Sequence, residues 1–135
     1  MPLLTWNKDY SVKIQEIDVQ HQKLVELINE LHDGMKIGKG KEIIGKILNE
    51  LVNYTAFHFQ TEEKLFDKYG YPDKIVHKRQ HGDLVEQVMS FKKSFDEGKG
   101  VVTVDLMNFL KDWLTNHINN SDKNYSKFLN SKGVL

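Results

Sequence analysis

Two pentapeptides decide the fold: His58-Phe59-Gln60-Thr61-Glu62 and His77-Lys78-Arg79-Gln80-His81. Each carries a potential metal ligand at both ends. A spacing of i, i+4 stacks the two side chains on one face of a helix. Working outward, His21 precedes them, and His117 and Asp122 follow. Five of the six histidines and two carboxylates therefore sit on four separate segments.

Each segment carries an apolar stripe with steps of three or four residues, the period of an amphipathic helix. The stripes are His21, Leu24, Ile28, Leu31, Met35; then Ile44, Ile47, Leu51, Tyr54, His58, Glu62, Leu65, Tyr69; then His77, His81, Leu84, Val88, Phe91, Phe95; and last Leu106, Leu110, Trp113, His117. Breaks fall at 34–41, with Gly34, Gly38 and Gly40, at Gly70-Tyr71-Pro72-Asp73, and at Gly98-Lys99-Gly100. Short glycine-containing links between long helices favour antiparallel neighbours. The expected fold is all-α: an antiparallel up-down-up-down four-helix bundle with an N-terminal arm and a short C-terminal helix. Residues 1–135 read as a single domain in which 1–17 form an arm packed on the bundle, and 124–135 read as the short helix, fraying at Gly133. Met35, Met89 and Met107 read as core filler, and His32, off the ligand stripe, as a surface residue.

The polar members of the stripes carry the chemistry. Burying a neutral polar group without a partner costs roughly 2–7 kcal/mol, and a bare charge costs more. One core histidine is ordinarily satisfied by a hydrogen bond. Seven polar groups on four facing stripes need a common partner, and a metal cluster is the economical one. His117 and Asp122 are five apart, and five residues turn an ideal α-helix by about 500°, so they do not share a face. A break, a widened turn or a new helix start is expected near Asn119-Asn120-Ser121, where side chains can satisfy loosened backbone groups.

Five imidazoles and two carboxylates exceed one ion and suit two. If both carboxylates bridge, five nitrogens and four oxygens make nine protein bonds, and one oxygen bridge between the metals brings eleven. Two octahedral ions offer twelve positions, so one stays open. An odd number of histidines forces asymmetry: one metal takes three and is full, the other takes two and keeps the vacancy. Ligand type alone also admits manganese or zinc.

Other function classes are disfavoured. Lys+Arg and Asp+Glu are both 19, so the net charge is zero and offers no footprint for nucleic acid or an anionic membrane. The absence of cysteine excludes disulfides, zinc–thiolate sites and iron–sulfur ligation. Hydrophobic residues at 39% and charged residues at 28% indicate an ordered, soluble chain. No apolar run approaches the ~18 residues of a membrane span, and the N-terminus lacks the pattern of a signal peptide, so a cytoplasmic protein is expected.

A lone histidine followed by HxxxE, HxxxH and HxxxxD resembles the hemerythrin family. Trp6 and the run Ile17-Asp18-Val19-Gln20-His21 are similar to its single-domain bacterial members, the bacteriohemerythrins. The resemblance spans roughly the whole chain, with no departure at a ligand position. It implies a non-haem di-iron centre with an oxo or hydroxo bridge. His77, His81 and His117 would hold the saturated iron, His21 and His58 the five-coordinate one, and Glu62 and Asp122 would bridge. Dioxygen would bind end-on at the open iron as hydroperoxide. By the same analogy Leu24, Phe59, Trp113, Leu114 and Ile118 would line the dioxygen pocket and exclude water, with Leu114 foremost because it lies three residues before His117. Those positions also read as ordinary core packing.

The expected function is reversible dioxygen binding by a carrier, store or local supplier, not an enzyme. The alternatives are an oxygen or redox sensor acting through a partner, and a di-iron enzyme acting on peroxide or nitric oxide. Dioxygen is the expected ligand and an oxygen-consuming protein a conceivable recipient. No nucleic acid or membrane insertion is expected, and the chain is expected to be a monomer.

Overall fold

Four long helices pack side by side, running up-down-up-down, in a computed structural model that describes residues 3–38, 40–98 and 104–135. They are α1 (Gln15–Lys36), α2 (Lys41–Tyr69), α3 (Lys74–Asp96) and α4 (Val104–Asn116). The fourth does not stop at Asn116. It widens into a π-turn over His117–Asp122 and resumes as α5 (Lys123–Ser131), so the C-terminal helix continues the fourth rather than standing apart. Gly98 has a positive φ of 75°, as a helix-ending glycine should, while the remainder of that expected break, Lys99-Gly100, lies outside the described residues.

Local chemistry explains the boundaries. At the end of α2, Gly70 takes a left-handed conformation (φ 70°) and Tyr71 N–H donates back to Phe66 O, closing the helix. Gly34 does not end α1. It is buried inside that helix, which runs on to Lys36. The arm is shorter than expected, because helix geometry begins at Gln15. Asp18 reaches back from the first turn: its carboxylate accepts from Val12 N–H (2.9 Å) and from the Ser11 hydroxyl (2.6 Å). Further back, Asn29 tethers the arm by accepting from Leu4 N–H and donating to Leu4 O.

The apolar interior divides into two clusters. The larger fills the bundle with Leu24, Leu27, Ile28, Leu31, Leu48, Leu51, Leu84, Met107, Leu110 and Leu114. The smaller joins the arm (Val12, Ile14, Ile17) to Phe66, Tyr71, Tyr125 and Leu129. The Ser126 hydroxyl donates to Val12 O, pinning α5 to the arm. Met35 and Met107 pack in the core as expected, but Met89 does not: on the outer face of α3 it is 46% exposed. Among the described residues no helix is long and apolar enough to cross a membrane.

Asp18 is thus the clasp between arm and bundle. Asp18→Ala strands the N–H of fully buried Val12 and should lower the stability of the metal-free protein by about 1–3 kcal/mol, measured by chemical denaturation.

Candidate metal centre

The six ligand candidates of the stripes and Asp122 meet between the two apolar clusters. His21, His58, Glu62, His77, His81, His117 and Asp122 are all buried, and Glu62 and Asp122 are fully inaccessible. Their donor atoms fall into two groups, within each of which all lie within 4.8 Å of one another: Glu62, His77, His81, His117 and Asp122 form one, and His21, His58, Glu62 and Asp122 the other. Both carboxylates belong to both groups. The division is three imidazoles against two.

The helices place these atoms as the spacing requires. α1 supplies His21, α2 His58 and Glu62, and α3 His77 and His81. The π-turn supplies His117 and Asp122. Its i→i+5 pattern widens the helix, so residues five apart come to lie over one another. Asp122 thereby faces both groups: Oδ1 lies 3.1 Å from Nε2 of His77 and of His117, and Oδ2 lies 3.1 Å from Nε2 of His21. Glu62 is less symmetric. Oε1 is 3.2 Å from Nε2 of both His58 and His81, while Oε2 is 4.0 Å from His21 Nε2 and accepts the hydroxyl of Tyr125. A carboxylate oxygen has more than one lone pair, so Tyr125 leaves Oε2 able to bind a second group.

These residues fit a metal pair. His21 Nε2, His81 Nε2, Glu62 Oε1 and both oxygens of Asp122 are buried without a hydrogen-bond partner, and the Nε2 atoms of His77 and His117 face each other at 3.1 Å. Buried polar atoms are normally paired. Here lone pairs converge on shared points, the arrangement a cation satisfies. Burial pushes the carboxyls of Glu62 and Asp122 up, but the surrounding imidazoles outweigh it and hold both below the usual range, so both are anionic. Burial, with those two anions beside it, pushes the Tyr125 phenol well up, so it keeps its proton. Burial pulls the His58 imidazole down despite Glu62, whereas at His81 the carboxylates of Glu62 and Glu63 outweigh burial and raise it.

The outer edges of two rings are held by groups that the sequence reading overlooked. His58 Nδ1 donates to Gln20 Oε1 at 2.7 Å, and His81 Nδ1 donates to Glu63 Oε2 at 2.9 Å. Tyr125 on Glu62 is a third. Each signal was faint: Gln20 and Glu63 adjoin ligand positions, and Tyr125 lies one turn after Asp122.

A small cavity of about 30 Å³ lies against His21, His58, His117 and Asp122. Of the expected pocket residues, Leu24, Phe59, Trp113 and Leu114 line it. Ile118 is buried in the larger core cluster but is not part of this lining. Ile28, Leu51, Leu84, Leu110 and Thr55 complete the lining, and the Thr55 hydroxyl donates to Leu51 O at 2.7 Å. Trp113 stacks on His117 at 4.4 Å and Phe59 on His81 at 3.7 Å. His32 stands apart from the cluster, although its side chain is only 16% exposed, so it is half-buried rather than on the surface.

Residues 12–129 match the family model described as the hemerythrin HHE cation binding domain. The chain is 36% identical over 132 residues to a bacteriohemerythrin of Methylococcus capsulatus, covering 97% of this chain and all of that one. It is 39% identical over 125 residues to a bacteriohemerythrin of Pseudomonas aeruginosa, covering 93% and 80%. A crystal structure of wild-type hemerythrin superposes with a TM-score of 0.89 at 36% identity, covering 93% of this chain and 96% of that one.

Metal removal should be costly. Filling the site at a free concentration of 100 times Kd stabilises a fold by about 2.7 kcal/mol, so a chelator should lower the melting temperature. His81→Ala should lose metal after dialysis and melt earlier, whereas His32→Ala should keep the parent's metal content, as measured by elemental analysis per chain.

Proposed function

The chain belongs to the hemerythrin family, and on that premise we propose that it binds dioxygen reversibly at a non-haem di-iron centre, as a carrier, store or local supplier. His77, His81 and His117 would hold one iron, His21 and His58 the other, and Glu62 and Asp122 would bridge. When bound, the iron pair supplies the electrons and the open coordination position that reversible dioxygen binding needs.

The observation that carries this reading is the position of the cavity. It touches both histidines of the two-histidine group, where the ligand count leaves a vacancy, and only His117 of the other. Its volume of about 30 Å³ suits one or two water-sized molecules, hence a diatomic ligand and not an organic substrate. Leu24, Phe59, Trp113 and Leu114 form an apolar wall that excludes water and proton donors.

Binding is favoured over turnover by what the cavity lacks among the described residues. Apart from the ligand residues its lining has no acid or base, and its one hydroxyl, Thr55, is engaged with the backbone. The buried phenol of Tyr125 lies on Glu62 and does not line the cavity.

The test is an absorption spectrum with a metal count. Protein holding two irons per chain should be nearly colourless when reduced, colour in air, and bleach again on removal of oxygen; failure to bind two irons overturns the proposal. Leu114→Ala should keep both irons but lose the air-induced colour faster, by roughly tenfold if the wall is worth about 1.4 kcal/mol of barrier. An unchanged decay rate would count against the role given to Leu114.

A further inference from the structure

The two outer-edge hydrogen bonds are unequal, and the inequality follows the division of the site. Gln20 presents a neutral amide to His58, in the two-histidine group. Glu63 presents a carboxylate to His81, in the three-histidine group. Among the described residues, Glu63 is the one carboxylate within reach of the outer nitrogen of any of the five imidazoles, and the outer nitrogen of His21 is buried without a partner.

The orientation of Gln20 is fixed by its surroundings. The Thr61 hydroxyl donates to Phe57 O (3.2 Å), which leaves its oxygen to accept from Gln20 Nε2 (3.2 Å). The amide oxygen must then face His58, so Nδ1 of His58 carries the hydrogen and Nε2 presents its lone pair inward. The chain from Phe57 through Thr61 and Gln20 to His58 thus delivers a neutral acceptor of defined orientation. Glu63, with its side chain 32% exposed, delivers a charged one.

An outer-edge partner sets the donor strength of a ligating imidazole, and a carboxylate makes it more basic than an amide does. Resting on the di-iron reading above, we propose that Gln20 and Glu63 are positioning residues that make the two irons electronically unequal. Glu63 strengthens His81 as a donor and favours the oxidised state of the three-histidine iron. Gln20 leaves His58 a weaker donor, which would favour the reduced state of an iron bound beside the cavity. This sets the balance between reversible binding and permanent oxidation.

The experiment is a redox titration of the di-iron protein, with iron counted per chain. Glu63→Gln retains a hydrogen-bond acceptor but removes the charge. At a fixed potential it should lower the oxidised-to-reduced ratio of one iron at least tenfold, an upward shift of about 59 mV for a one-electron couple. Gln20→Glu should raise the ratio for the other iron at least tenfold and speed loss of the air-induced colour. A purely structural hydrogen bond would be rescued by glutamine at position 63, so ratios within threefold of the parent in both variants, at two irons per chain, overturn the inference and leave dioxygen binding standing. Loss of iron from both variants also overturns it, because the bonds would then be structural. A parent chain that takes up no iron overturns both readings.

Discussion

Two carboxylates and five imidazoles share an interior that water does not reach, and the rest of the fold answers to that constraint. Glu62 and Asp122 are fully buried and anionic. An unpaired ion there would cost several kcal/mol even after relaxation. The cost is met by convergence, with every carboxylate oxygen of the pair close to an imidazole. Convergence in turn dictates architecture. Four helices must run alongside one another at one depth, and the apolar core must divide into a cluster on either side of the polar layer.

The asymmetry within the layer follows from the same constraint. α2 and α3 each contribute a pair at the i, i+4 spacing of a regular α-helix, and α1 contributes His21 alone. The fourth segment uses a π-turn, so Asp122 turns both oxygens inward, one to each group of donors. A π-turn gives up regular hydrogen bonding and tends to mark functional positions. Glu62 sits on an unperturbed helix and is held instead by Tyr125. The two carboxylates shared by both donor groups are thus positioned by two different local devices.

Much of this was legible in the sequence because helical periodicity is local. The pairs His58/Glu62 and His77/His81 announce their shared faces, and the five-residue step from His117 to Asp122 announces a disturbed turn. What escaped was non-local. Gln20 meets His58 across 38 positions, Glu63 meets His81 across 18, and Tyr125 meets Glu62 across 63. No periodicity encodes such encounters; they depend on how far each helix is rotated about its axis. The same blindness misplaced Met89, which faces outward beside buried Val88. Gly34 misled for another reason: glycine marks helix ends on average, but here it lies buried within α1.

The order of the donors along the chain has a kinetic consequence. The three-histidine group draws only on residues 62 to 122, from α2 onward, whereas the two-histidine group also needs His21 from α1. A transient swing of α1 away from the bundle would therefore strip one site of a ligand and leave the other with its full set. It would also carry off Gln20 and Leu24, removing the outer-edge partner of His58 and one wall of the cavity together. Local opening of this kind costs less than global unfolding. Metal ions held by the two groups would therefore differ in lability: the one bound by the group that includes His21 would leave more readily than the one held from α2 onward.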